Sequence, residues 1–219
     1  MSEITVDRAR ALLLPSVVFT DHVWAGRTAV AWVGQGQRVR PRCAACGSPR
    51  VRVLVADLVD EGTGDRGVTL AVCPHCSLHG DDGARVSLWT GSAEDLPPPA
   101  GEQRWGAQVQ TAPDGAALHR LVELPDPSRD PEPYTSAIEA WQGAFAACGG
   151  LVRDGTRVGG YPLWLQGDDT PVCGAHGPMS LAVQIGADAG IDLGDSGVLY
   201  VFTCAAPACG QMRSVVQSH

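Results

Sequence analysis

Two runs, Val51-Arg-Val-Leu-Val-Ala56 and Val68-Thr-Leu-Ala-Val72, are rich in β-branched residues and flank a Gly- and Asp-rich stretch. That grammar predicts two strands joined as a hairpin. It returns at Met179-Ser-Leu-Ala-Val-Gln-Ile185 and Val198-Leu-Tyr-Val-Phe-Thr203. Ser136 to Cys148 instead reads as a helix, started near Thr135 or Ser136 and stopped by Gly149-Gly150. A shorter helix over Val6 to Leu13 stops before Pro15. Ala117 to Leu124 reads as a short strand. Prolines at 97–99 and from 125 to 133 require any strands near them to be short. The expected class is mainly β, an α+β chain with few helices.

The two strand-rich segments match in order: Trp-centred step, knuckle, strand, Gly-Asp-x-Gly turn, strand, knuckle. Ala31-Trp32-Val33 aligns with Leu163-Trp164-Leu165, and Gly64-Asp65-Arg66-Gly67 with Gly194-Asp195-Ser196-Gly197. In such a turn glycine supplies positive φ and aspartate caps. Duplication explains the match, so two pseudo-symmetric hairpin-and-knuckle repeats are expected to pack as one unit. The first repeat covers 1–100, a connecting strand and helix 101–157, and the second repeat 158–219. Gly-Asp-Ser-Gly is also the string around a chymotrypsin-like nucleophile. No histidine here sits in a base motif, and Arg66 stands where Ser196 does, so the protease reading is set aside.

The knuckles carry the candidate chemistry. Cys43-Ala-Ala-Cys46-Gly47 and Cys73-Pro-His-Cys76 are C-x-x-C pairs, which let two thiolates grip one metal from a tight loop. The 26 residues between them accommodate a hairpin that brings both knuckles to one end. Cys73 and Cys76 with Cys43 and Cys46 therefore predict a closed, structural zinc site, with His75 and His79 as bystanders. Cys173-Gly-Ala-His176 and Cys204-Ala-Ala-Pro-Ala-Cys209 repeat the pattern with a 27-residue spacer. An imidazole replaces one thiolate there, and Cys173, His176, Cys204 and Cys209 predict a second zinc site. Cys148 has no partner at ligand spacing and reads as a small core residue.

Composition narrows the function classes. The chain has 219 residues, 44% of them hydrophobic, and a net charge of -8. An acidic surface favours partners with basic segments and disfavours wholesale phosphate binding. The local exception is Arg38, Arg40, Arg42, Arg50 and Arg52 around the first pair. No apolar run approaches a membrane span, and an acidic N-terminus unlike a signal peptide makes the cytoplasm the expected location. A metalloenzyme would need an open coordination position and a nearby base, and no His-Glu motif of that kind is present, so no catalytic residue is expected.

From Val158 the chain reads Val-Gly-Gly-Tyr-Pro-Leu-Trp-Leu-Gln166, then a knuckle, a strand with Gln184, the Gly-Asp-Ser-Gly turn and an aromatic strand. This resembles the YwqG-like bacterial proteins and the related eukaryotic programmed-cell-death-2 family, well over about the last 60 residues and loosely over the first repeat. The resemblance implies a duplicated β-rich fold with Gly159, Gly160, Pro162, Trp164, Gln166 and Gln184 at the heart of the second half. For the eukaryotic relatives it implies a chaperone that cradles a newly made ribosomal protein. His176 departs from the cysteine usual at its position. The expected function is a zinc-stabilised protein-binding module, a holdase-like adaptor for a basic client, with Trp32, Trp164, Gln166 and Gln184 as partner-binding residues. The alternative is RNA binding or processing through the Arg38–Arg52 patch.

Overall fold

The computed structural model describes residues 4–14, 16–20, 30–33, 38–39, 42–57, 67–73, 75–76, 86–91, 104–110, 112–150, 152, 155–186, 193 and 195–219. The β-branched runs form the strands they predict, β4 (Arg50–Asp57) with β5 (Gly67–Val72) and β11 (Ser180–Ile185) with β12 (Val198–Thr203). Around them lie β1 (Ser16–Thr20), β2 (Val30–Val33), β3 (Arg38–Val39), β6 (Val86–Gly91), β7 (Arg104–Gln110), β8 (Arg157–Gly159), β9 (Val172–Cys173), β10 (Gly177–Pro178) and β13 (Met212–Gln217). Three α-helices complete the described chain: α1 (Val6–Ala11), α2 (Gly115–Leu121) and α3 (Pro131–Ala147). The class is mainly β with few helices, as the pattern predicts.

One antiparallel sheet runs in the order β13-β12-β11-β8-β1-β7-β2-β4-β5-β6, with β3 added beside β4 and β9–β10 forming a separate hairpin. From the centre outward, β8-β11-β12-β13 is a sequential run to one edge and β2-β4-β5-β6 a sequential run to the other. Each run carries one register shift, between Arg52 and Leu54 on β4 and between Leu181 and Val183 on β11. Below those shifts, Val51 pairs Val72 and Ser180 pairs Thr203, so each pairing ends one residue short of a cysteine, Cys73 or Cys204.

The strand order corrects the expected pairing of the two tryptophan steps. Trp32 lies on β2, paired with Val55 and Arg104, and β8 puts Arg157 at the corresponding place, paired with Gln184 and Val18. Trp164 lies beyond β8 in a non-strand segment, so the two tryptophan steps are not counterparts. β1 pairs on one side with β8 of the C-terminal run and on the other with β7 of the connecting segment, which ties the three segments into one sheet.

Ala117 to Leu124 is not a strand. Asp114 caps α2 there, its Oδ1 accepting from Ala117 N at 2.7 Å, and the helix buries Ala117 and packs Leu118 with Trp141 and Phe145 of α3. Helix α3 starts before Ser136 because Pro131 and Pro133 occupy its first turn, where no N–H is needed for an intrahelical bond. α1 begins at Thr5, whose hydroxyl accepts from Arg8 N at 3.3 Å.

In the Gly-Asp-x-Gly turn Ser196 takes a positive φ of 48° and Gly197 does not, while Gly194 lies outside the described residues. Gly197 is needed for another reason: a Cβ there would collide with the Leu193 backbone. Gly64, Asp65 and Arg66 of the other turn lie outside the described residues. The second-half core gathers Trp164, Met179, Leu181, Tyr200, Phe202 and Val215 around Cys173 and Cys204.

Candidate metal centres

The β4–β5 hairpin closes at its open end with two cysteine loops. In the first, Gly47 N donates to Cys43 O (2.8 Å) and Cys43 N to Ser48 O (2.9 Å), and Gly47 at φ +72° takes the left-handed position a side chain disfavours. The second loop begins at Cys73, directly after β5. Together they bring Cys43, Cys46, Cys73 and Cys76 within 4.8 Å of one another. Cys43 Sγ lies 3.9 Å from Cys76 Sγ, and Cys46 Sγ 3.5 Å from Cys73 Sγ. Four sulfurs held about 2.3 Å from one ion at tetrahedral angles stand about 3.8 Å apart. A disulfide needs about 2.05 Å, and all eight cysteines are free.

The second centre is built alike. Cys173 ends β9, His176 sits in the β9–β10 turn with its N donating to Cys173 O (3.2 Å), and Cys204 directly follows β12. The loop from Cys204 to Cys209 ends in a single 3-10 turn, Pro207–Cys209, released by Gly210 at φ +64°. His176 Nδ1 lies 3.4 Å from Cys173 Sγ and 3.3 Å from Cys204 Sγ, and Cys173 Sγ 3.9 Å from Cys209 Sγ. These four ligand atoms also fall within 4.8 Å of one another. Both predicted ligand sets are thus assembled completely, and each fits one metal ion.

The electrostatics of the thiols suit a cation. Hydrogen bonds from Ser48 hold Cys46 down to about 6, while the neighbouring Cys46 pushes Cys76 up to about 12 and burial raises Cys73. In the other centre, the backbone N–H of Ala175, followed by His176, holds Cys173 down to about 6, and burial raises Cys204. In each cluster one thiolate forms readily and opposes the ionisation of a neighbour, Cys46 that of Cys76 and Cys173 that of Cys204. A divalent ion among them reverses that opposition.

Other predicted residues fall elsewhere. His75 is exposed and belongs to neither cluster, and His79 lies outside the described residues. Cys148 is half-buried at the end of α3, its thiol donating to Phe145 O. Trp164 is 7% exposed and packs 4.5 Å from Tyr200 and 5.8 Å from Phe202, ring centre to ring centre. Gln184 is 2% exposed. Both are therefore core residues that offer a partner little surface, a correction to their expected role. Gln166 is exposed and donates to Ser218 O. Trp32 is placed only as a β2 position. Of the arginine patch, Arg50 is buried and Arg42 donates to Gly47 O at 3.0 Å, while Arg40 lies outside the described residues.

Gln184 has a different task, shared with residues the sequence did not single out. The segment 163–167 has no strand partner, and side chains satisfy its backbone. Gln184 accepts from Leu163 N, Asp114 from Trp164 N, and Gln217 from both Leu165 N and Gln166 N. Tyr200 donates to Leu163 O, Gln184 to Gly155 O and Gln217 to Gly167 O. The available signal was a glutamine at an alternating, core-facing place in the otherwise apolar end of β13.

No family model matches the chain, and no curated protein matches it. No helix among the described residues is long and apolar enough to cross a membrane.

Proposed function

We propose that the chain is a zinc-stabilised protein-binding module, an adaptor of holdase type for a client with a basic segment, and that it has no catalytic role. The two four-ligand clusters carry this reading. Ligand atoms within 4.8 Å of one another leave room for a single ion. Tetrahedral sets of four thiolates, or three thiolates and an imidazole, suit zinc among the common divalent ions. All four positions of each set are taken by protein, which is the pattern of a structural site. Each ion then ties together the two loops at the end of a hairpin, and its binding energy becomes folding energy.

The client class is supported by charge. The net charge is -8, and Glu123, Asp126, Asp130, Glu132 and Glu139 are exposed along the approach to α3 and on its surface. The resemblance to the YwqG-like and programmed-cell-death-2 families belongs to this proposal, as does a cytoplasmic location. The RNA alternative loses support from the burial of Arg50. The test is titration with an arginine-rich peptide and with single-stranded RNA at low and moderate salt. Salt-dependent binding of the peptide alone is expected. Binding of RNA alone, or of neither, overturns the client reading.

A further inference from the structure

Of the eight cysteines, Cys46 alone is exposed. Its chain neighbours Ala45 and Gly47 are small and exposed as well, so they leave its sulfur open to a small solute. Cys73 Sγ stands 3.5 Å from it, and Cys43 Sγ stands 3.9 Å from Cys76 Sγ. Both pairs cross from the first cysteine loop to the second. An accessible cysteine beside a second one is the arrangement in which a sulfenic acid is resolved as a disulfide. The second centre lacks it at the corresponding corner. There the exposed ligand is His176, which has no sulfur to oxidise, while Cys173 and Cys204 are buried and Cys209 is half-buried. Its three cysteines cannot all pair with one another, whereas the four of the first centre can.

Resting on the metal reading above, we infer that the first centre is a peroxide-sensitive clamp, its two loops tied either by one ion or by disulfides. Cys46 Sγ attacks one oxygen of hydrogen peroxide, the O–O bond breaks, and a sulfenic acid and one water form. Cys73 Sγ then attacks the sulfenic sulfur, an S–S bond forms and a second water leaves. The two sulfurs lose two electrons, the peroxide gains them, and the two protons come from the thiols or from solvent. Cys43 and Cys76 follow with a second peroxide. Once Cys46 and Cys73 are joined, two of the four ligands are gone and the ion is released. The new bond closes a gap of 3.5 Å to about 2.05 Å between the same two loops, so the end of the β4–β5 hairpin stays joined. The second centre keeps its ion, and the chain answers oxidant in one half only.

The test treats the full zinc-loaded chain with hydrogen peroxide, follows zinc release with a colorimetric chelator, and maps disulfides by mass spectrometry without reduction. One equivalent should leave first, together with formation of Cys46–Cys73 and Cys43–Cys76 disulfides, while the other stays with the second centre. Exchanging the exposed corners provides a second arm. Cys46→His should make the first centre as resistant as the second, and His176→Cys should make the second release its ion as readily as the first. Should either variant fail to load zinc, the wild-type order of release and disulfide map decide alone. Release of both wild-type ions at one rate, disulfides within a single loop, or no release at peroxide levels that fully oxidise glutathione overturns the inference. So does unchanged release from either loaded variant. Each of these results starts from a chain that carries two ions and leaves the metal reading intact. A chain that carries no zinc before peroxide is added overturns the metal reading itself.

Discussion

Asp114 shows how much one side chain can hold in this chain. Its two oxygens accept from Ala117 N at 2.7 Å and from Trp164 N at 2.9 Å, so it caps α2 and anchors the 163–167 segment at once. Burial raises its pKa above the ordinary carboxylate value. The folded state therefore favours the protonated form. The group's contribution is fully present below its unfolded pKa of about 3.9 and declines as pH rises through the folded value. Replacing it with Asn leaves one amide facing an NH2 group, at a cost of about 1–3 kcal/mol. Urea unfolding of wild type and Asp114→Asn between acid and neutral pH checks both points. The variant should be less stable and lack this component of the pH slope; an unchanged slope contradicts the assignment. At Gly160, φ is +71° and a Cβ would collide with Ser16. Gly160→Ala should destabilise by more than the roughly 1 kcal/mol that an unstrained glycine replacement alters. A melting temperature at or above wild type counts against the β1–β8 contact.

The elements were legible to different degrees. The β4–β5 and β11–β12 hairpins are written in β-branched runs, and the structure puts strands where those runs lie. The apolar residues of 117–124 fit either period, and the decision rests with Asp114 as a cap and with the Trp141–Phe145 face that receives Leu118. The segment 163–167 is neither helix nor strand, and its order depends on Gln184, Tyr200 and Gln217, which lie 17 to 54 residues further along the chain. No local pattern records such long-range satisfaction. Gln217→Ala leaves Leu165 N, Gln166 N and Gly167 O without this partner. Hydrogen exchange at Leu165 and Gln166 should accelerate by at least tenfold, about 1.4 kcal/mol or more of lost protection. Unchanged protection there would assign the order of the segment to Trp164 packing instead.

Across the whole molecule, the ligand sets were the most legible feature, because a pair of thiols at fixed spacing states its own geometry. Strand order was the least. The central pairing of β1 with β7 and of β1 with β8 joins segments more than 80 residues apart, and only the folded sheet reveals it. That arrangement places the two candidate ions in opposite halves of one continuous sheet. Each should act as a local clamp on its own hairpin. Cys43→Ser should remove one zinc and Cys173→Ser the other, with each variant keeping the ion of the opposite half.

Zinc content per chain, measured by elemental analysis after purification under reducing conditions, reaches most directly to the claim that two ions hold the hairpin ends together. Two equivalents, lost on chelation together with a large drop in melting temperature, is the expected result. A fully folded chain that carries no metal, and whose melting temperature a chelator leaves unmoved, would contradict it.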